Sequence, residues 1–442
     1  MISSQKGLTI LCILFMLSIV FTWISPVYAQ KGSKPTFQLY KPMEIERPSS
    51  VRNDCFPYND LTHISIFLGL MVLSAWAALR KQSRILLVLI SAGSVATLGF
   101  LYRGCPCSVG SIQNITLGLV QPDYFVPWII LILFFTPLVF TFFLGRTFCG
   151  SVCPIGALQE LILIHPIRIP LWIDKVFGLF RYIFLGLAVL FAAGGLSFII
   201  CRYDPAVGLF RACNSTLGLW IFSGILLLLG LFVGRPYCRF LCPYGALLSI
   251  AGSISIWKIT VSPGNCDRCK LCESICPYNA ILPPEQISDS RKDKKEFHRF
   301  LLAIFSAPLL ILIFYGLGSL LAYPLAQRHP IVQKAILVHA EETGLVDKFG
   351  AFDESLAHYR SGVENKVLYE NAEKVVQRFS RITPWFGAWI GLVFSIQFIL
   401  LAIRHKRENY QTDPARCFSC GRCFWYCPNQ KGKRILLEED LK

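Results

Sequence analysis

The chain has 442 residues, 54% of them hydrophobic and only 16% charged, with a mean hydropathy of +0.52. Soluble domains carry about 25% charged residues, so this composition excludes an ordinary soluble domain and points to a membrane protein. The net charge of +16, from 43 Lys+Arg against 27 Asp+Glu, reads as membrane orientation, because no soluble basic face for nucleic acid is visible.

The chain opens on a secretory pattern over residues 1–29. Lys6 supplies a short positive region, Leu8 to Ile24 is mostly apolar, and Val27-Tyr28-Ala29 offers small residues for cleavage. An uncleaved anchor helix is the alternative. The polar, Pro-rich residues 30–60 then start on the outer side. Hydrophobic spans are expected at Leu61–Leu79, Ile85–Leu101, Tyr124–Leu144, Tyr182–Ile200, Leu217–Gly234, Phe300–Ala322 and Trp385–Ile403. Each is near the roughly 20 residues that cross ~30 Å of hydrocarbon. Starting outside, seven crossings leave the C-terminus inside. Charge agrees, since Arg80, Lys81 and Arg84 flank the first inner loop, and the basic segments Arg235 to Arg299 and beyond Arg404 also fall inside.

Within the membrane domain, residues 61–255, the sequence repeats itself. Cys149-Gly-Ser-Val-Cys153-Pro154-Ile155-Gly156-Ala157-Leu158 recurs as Cys238-Arg-Phe-Leu-Cys242-Pro243-Tyr244-Gly245-Ala246-Leu247. Upstream, Asn114-Ile115-Thr116-Leu117-Gly118-Leu119 recurs as Asn214-Ser215-Thr216-Leu217-Gly218-Leu219. Two related helix hairpins would each deliver one C-x3-C-P pair to the inner face. If a helix follows, the i, i+4 spacing lets both thiols of a pair face one way. Cys149, Cys153, Cys238 and Cys242 together could complete one [4Fe–4S] site; two separate sites with outside ligands are the alternative. Between the copies, Leu158 to Trp172 suits a broken segment lying along the inner interface.

Beyond the repeat, Cys266, Cys269, Cys272, Cys276-Pro277 and Cys417, Cys420, Cys423, Cys427-Pro428 both read C-x2-C-x2-C-x3-C-P. This is the bacterial ferredoxin run, in which the fourth cysteine ligates the other cluster. Cys266, Cys269, Cys272 and Cys427 would then hold one cube, and Cys417, Cys420, Cys423 and Cys276 the second. Zinc prefers two C-x2-C pairs with a longer gap. The ferredoxin halves are expected at 256–298 and 406–442. Spans at 299–323 and 383–405, with an outer helical insertion over 324–382, separate them. In the insertion, Val332, Ile336 and Leu337, and later Val367, Leu368, Ala372, Val375 and Val376, sit at helical spacing.

Cys55, Cys105, Cys107, Cys201 and Cys213 fall on the outer side. They fit disulfides of an oxidising compartment, or Cys105, Cys107, Cys201 and Cys213 form a further outer-face redox centre. The motive for such a centre is distance, since inner-face clusters need an intermediate to reach an outer partner across ~30 Å. A bound quinone could serve instead. His63 and Arg181, near span ends, suit either snorkelling or a quinone contact.

The stretch Arg146-Thr147-Phe148-Cys149 to Gln159-Glu160, its second copy and the ferredoxin runs resemble the NosR/NapH-type membrane-bound 4Fe–4S polyferredoxins. That family includes a quinol-dehydrogenase subunit of nitrate reduction, an electron donor to nitrous oxide reductase, and a relative serving copper-oxidase assembly. The resemblance covers about residues 60–280 and the final thirty. It implies electron transfer between the quinone pool, or a cytoplasmic donor, and an extracytoplasmic acceptor. Residues 30–60 are too short for the outer flavin domain of the nitrous-oxide branch, and the split ferredoxin runs depart from the compact nitrate-reduction type.

The sequence therefore predicts an all-α polytopic membrane protein of about seven transmembrane helices and two tandem hairpin repeats, with a small α+β bacterial-ferredoxin-like cytoplasmic module. Expected cofactors are [4Fe–4S] clusters, two in the module and one from the C-x3-C-P pairs, with quinone and an outer redox centre as further candidates. Expected partners are the lipid bilayer, an extracytoplasmic reductase and quinol, with no nucleic acid. The expected location is the bacterial inner membrane. The alternative function is a maturation factor that reduces a metal or thiol for an extracytoplasmic metalloenzyme.

Overall fold

The computed structural model describes residues 60–104, 107–120, 124–196, 203–211, 217–257, 268–284, 290–343, 364–402 and 409–427, together with Ile200, Ile259 and Cys266. The predicted signal, residues 30–59, Cys55, Cys105, Cys201, Cys213, the middle of the insertion and the tail after Cys427 lie outside the described residues.

The membrane domain is helical from its start. Helix α1 is Asp60–Leu79, and α2, Arg84–Ser94, continues as a π-helix over Val95–Leu101. Ser83 caps α2 by accepting from the Leu86 amide, satisfying one of the donors that every helix start leaves over. Then follow α3 (Ser108–Val120), α4 (Trp128–Leu144), α5 (Pro154–Leu161), α6 (Leu171–Phe177), α7 (Phe180–Gly194), α8 (Pro205–Arg211), α9 (Leu217–Gly230) and α10 (Pro243–Ser253). Gly145, at φ 72°, ends α4 in a conformation costly for a side chain, and turns the chain into the first cysteine pair.

Five segments are long and apolar enough to cross a membrane: Leu61–Leu79, Arg84–Leu101, Leu171–Gly194, His298–Ala326 and Asn365–Ala402. The other two expected spans are shorter helices, Trp128–Leu144 of 17 residues and Leu217–Gly230 of 14. At 1.5 Å per residue these reach about 26 and about 21 Å, under the ~30 Å hydrocarbon thickness. The first loses its expected opening turn because Pro127 stands at the N-cap; the second stops at Gly230. Large apolar side chains point outward all round, among them Leu119, Phe125, Phe305 and Leu320, which are 74–82% exposed. A bilayer, rather than water, suits such a surface.

The last two long helices are α12 (Ser290–Ala326) and α14 (Asn365–Ala402), with α13 (Pro330–Glu342) between them. They run straight through the expected domain boundaries at 298, 323 and 382. Their backbones approach closely at glycines: a Cβ on Gly318 would lie 2.6 Å from the Thr383 carbonyl oxygen. Small residues let apolar helices pack in lipid in this way. The Trp389 indole donates to the Tyr182 carbonyl at 2.9 Å, fastening α14 to α7. In the insertion the buried stripe is Val332, Ala335 and Val338 against Leu368, Ala372, Val375 and Phe379. Ile336 and Val367, expected on that stripe, are exposed instead.

The two ferredoxin halves meet across this hairpin. The first carries α11 (Leu271–Ile275) and β1 (Ile281–Leu282); the second carries β2 (Gln411–Thr412) and α15 (Arg422–Tyr426). β1 and β2 pair antiparallel, Ile281 with Thr412 and Leu282 with Gln411, and the Asp413 amide extends the pairing to the Ala280 carbonyl at 2.7 Å.

Candidate functional site

The duplicated cysteine pairs fold alike. Cys149 and Cys238 sit in single π-helical turns, Phe148–Val152 and Tyr237–Leu241. Cys153 and Cys242 follow as N-caps of α5 and α10, at φ −66° and −67°, with Pro154 and Pro243 at the first helical position. Proline suits that position because its missing N–H has no intrahelical acceptor there. The expected α-helical i, i+4 relation is thus replaced by a π turn ending at a cap. Gly156 and Gly245 recur for one reason: a Cβ would lie 2.9 Å from the Cys149 carbonyl oxygen in one copy and 3.0 Å from that of Cys238 in the other. All four cysteines are buried, and Cys149, Cys153, Cys238 and Cys242 lie within electrostatic reach of one another.

Thiols of the two ferredoxin runs also approach one another. The Cys272 thiol is pushed up to about 11 by burial, with Cys266, Cys269 and Cys427 adding to the effect. Burial likewise pushes Cys417 up to about 12 and Cys420 up to about 11, with Cys276 among the neighbours of each. Cys423 lies near Cys417, Cys420 and Cys276. Cys276 of the first run lines one cavity with Cys417, Cys420 and Cys423 of the second, and Cys427 stands within electrostatic reach of Cys272. Among the described residues no three His, Cys, Asp or Glu side chains converge on a single ion.

The ferredoxin half sits directly on the duplicated motif. A Cβ on Gly150 would lie 2.6 Å from the Phe418 carbonyl oxygen, so only glycine admits this approach. Arg146 and Arg235, at 1% and 0% exposure, flank the Phe418 ring with their guanidinium carbons 4.3 and 5.3 Å from its centroid. Arg146 donates to the Ala415 carbonyl at 2.8 Å and to the Cys149 sulfur at 3.9 Å. Arg235 donates to the carbonyls of Cys149 and Gly150. Guanidinium groups, planar and weakly hydrated, suit such stacked, buried contacts.

Two buried carboxylates complete the interface. Glu160 takes Arg422 at 3.0 Å, Arg235 at 3.2 Å and Arg84 at 3.7 Å, and accepts from the Tyr278 hydroxyl. Burial alone would raise the Glu160 carboxyl, but Arg235, Arg422, Tyr278 and Arg84 outweigh it and hold it below the usual carboxylate range. Asp174 takes Arg239 at 2.6 Å and Arg416 at 3.5 Å, and Arg239 also donates to the Pro277 carbonyl at 2.9 Å.

These charges test the fit of an iron–sulfur cube. Among the described residues Arg146 makes no ion pair, and Glu160 alone faces three arginines. Buried charge is costly unless compensated. Neutral thiols would leave this positive surplus unbalanced, whereas thiolates around a cube form a net anion beside it. The donor sets and their surroundings fit the group.

Sequence reasoning missed Asp174, Arg239, Tyr278, Phe418 and Arg422, and treated Arg146 and Glu160 only as parts of a motif. One signal was readable: Arg146-Thr147-Phe148-Cys149 and Arg235-Pro236-Tyr237-Cys238 extend the repeat three residues upstream. Arg181 donates to Ser249 at 3.0 Å and Tyr182 at 3.1 Å. His63 is buried edge-on against Tyr102, ring centroids 4.5 Å apart. Of the five cysteines expected on the outer side, Cys107 alone is among the described residues; it is half-buried and accepts from the Gly110 amide at 3.2 Å.

A family model described as a 4Fe–4S binding domain matches residues 126–171 and 215–261, and a second of the same description matches 259–282. The first spans both cysteine pairs, the second the first ferredoxin run. An uncharacterized protein of Methanocaldococcus jannaschii is 29% identical over 40% of this chain and 75% of its own length. The regulatory protein NosR of Pseudomonas aeruginosa is 34% identical over 35% of this chain and 22% of its own. The ferredoxin-type protein NapH of Haemophilus influenzae is 28% identical over 31% of this chain and 50% of its own. Apart from the first, the chain spans about half or less of these relatives. No solved structure matches it.

Proposed function

Taking as premise the NosR/NapH-type 4Fe–4S ferredoxin family that its relatives and matched domains support, we propose that this chain is a membrane-anchored iron–sulfur electron carrier. In this reading Cys266, Cys269, Cys272 and Cys427 hold one [4Fe–4S] cluster, and Cys417, Cys420, Cys423 and Cys276 a second. Cys149, Cys153, Cys238 and Cys242 hold a third. Bound there, the cubes supply one-electron redox chemistry; the chain supplies ligation, spacing, dryness and charge.

The observation that supports this reading is the close contact of both ferredoxin runs with each other and of the second run with the duplicated motif. The β1–β2 pairing with α11 against α15 makes the first contact, and Gly150, Phe418 and the two repeat arginines make the second. Seven crossings, counting the two shorter helices, put the module and all three quartets on the cytoplasmic face of a bacterial inner membrane, following the positive loops. Electrons then pass between the quinone pool or a cytoplasmic donor and an extracytoplasmic reductase. Cys105, Cys107, Cys201 and Cys213, or a bound quinone, would complete the path outward.

The test is reduction in sealed membranes. A quinol analogue should bleach the cluster absorbance anaerobically, and an outer acceptor should restore it. Clusters that a quinol analogue and a cytoplasmic ferredoxin-type donor both leave oxidised would overturn the carrier reading.

A further inference from the structure

The two copies of the repeat are not equivalent, and the difference lies seven residues after the second cysteine of each pair. Copy one has Glu160 there; copy two has Ser249. Each faces an arginine from the start of a long helix, Arg84 to Glu160 at 3.7 Å and Arg181 to Ser249 at 3.0 Å. Only Glu160 is charged, and only it reaches every other part of the assembly. Arg84 comes from the first inner loop, Arg235 from copy two, Tyr278 from the first ferredoxin half and Arg422 from the second. A buried carboxylate stripped of water is retained only with such partners. These partners cannot all reach it unless both halves are seated on the membrane motif.

Resting on the carrier reading above, we propose that Glu160 is a positioning residue. It locks the reunited ferredoxin halves onto the duplicated motif, so that the Cys417 quartet sits against the Cys149 quartet at a fixed separation. Ser249, neutral and bonded to the Ala415 carbonyl at 3.0 Å, steadies the same half from the other copy without gathering charges. The duplication thus yields one symmetric ligand set and one asymmetric latch.

The experiment uses the full chain, purified anaerobically in detergent and fully reduced. Electron paramagnetic resonance reads the magnetic splitting between neighbouring clusters, and the component that disappears in Cys149→Ser belongs to the pair across the interface. Glu160→Gln removes the charge and leaves every cysteine in place. It should keep the parent's iron and sulfide content yet lose that component, and Glu160→Asp should restore part of it. A merely stabilising ion pair would lower iron content or thermal stability and leave the splitting of loaded protein unchanged. Loaded Glu160→Gln with the parent's splitting overturns the proposal.

If Glu160→Gln retains no iron, Tyr278→Phe, which removes one hydrogen bond from the same carboxylate, carries the test. An unaltered splitting there also overturns it. A parent chain that is loaded but shows no such component contradicts the positioning role alone, whereas a parent chain without iron contradicts the carrier reading beneath it.

Discussion

Arg146 shows how single side chains here serve two purposes. Its guanidinium holds the ferredoxin half through Ala415 and Phe418 while bringing positive charge to the Cys149 sulfur. Positive charge favours the more negative, reduced form of a neighbouring anion. Arg146→Met should therefore shift the midpoint potential of the cluster on the duplicated motif downward, read by a redox titration followed by paramagnetic resonance. An unchanged or raised potential would contradict this role. Gly150 gives a steric counterpart. Its Cβ would meet the Phe418 carbonyl, so Gly150→Ala should cost about 1–3 kcal/mol of overpacking at the interface and show as a lower melting temperature. Gly93→Ala, where a Cβ meets nothing within 4 Å, should be neutral or slightly stabilising in the same melt, because it replaces a helical glycine.

At the scale of elements, the crossing of the two ferredoxin runs is the arrangement most open to test. Cys427 ends α15 in the second half but stands within electrostatic reach of Cys272 of the first. Cys427→Ser should cost the cluster built on Cys266, Cys269 and Cys272 and spare the one on Cys417, Cys420 and Cys423. Loss of the second run's cluster alone would reverse the assignment. The spacing of the cysteines suggested this pairing, and the approach of Cys276 to Cys417, Cys420 and Cys423 is compatible with it. In the repeat, the shared Cys, Pro and Gly positions fold into matching π turns and N-cap positions. The π turns at Phe148–Val152 and Tyr237–Leu241 were not readable, since hydrophobic spacing does not separate i→i+4 from i→i+5 bonding over five residues. Nor were the ends of α4 and α9, where Pro127 and Gly230 shorten helices that hydropathy alone extends. Glu160 and Asp174 escaped because a lone acid in an apolar stretch carries no partner in its own sequence. Their arginines arrive from segments as distant as Arg422 and Arg416.

For the whole molecule, the proposed topology joins the positive loops to the quartets. Reporter fusions after residue 442 and within the Arg80–Arg84 loop should both report the cytoplasm, while one in the 344–363 region should report the outer side. Opposite answers for the first two would break the seven-crossing reading. The account as a whole stands on three iron–sulfur clusters in one membrane chain. Iron and acid-labile sulfide, counted on anaerobically purified full-length protein with paramagnetic resonance of the reduced state, test it most directly. The account predicts about twelve iron atoms per chain, four for each of three cubes, and three distinguishable reduced signals. Colourless protein without iron, or a full complement that persists when Cys149, Cys153, Cys238 and Cys242 are all replaced by serine, would contradict it.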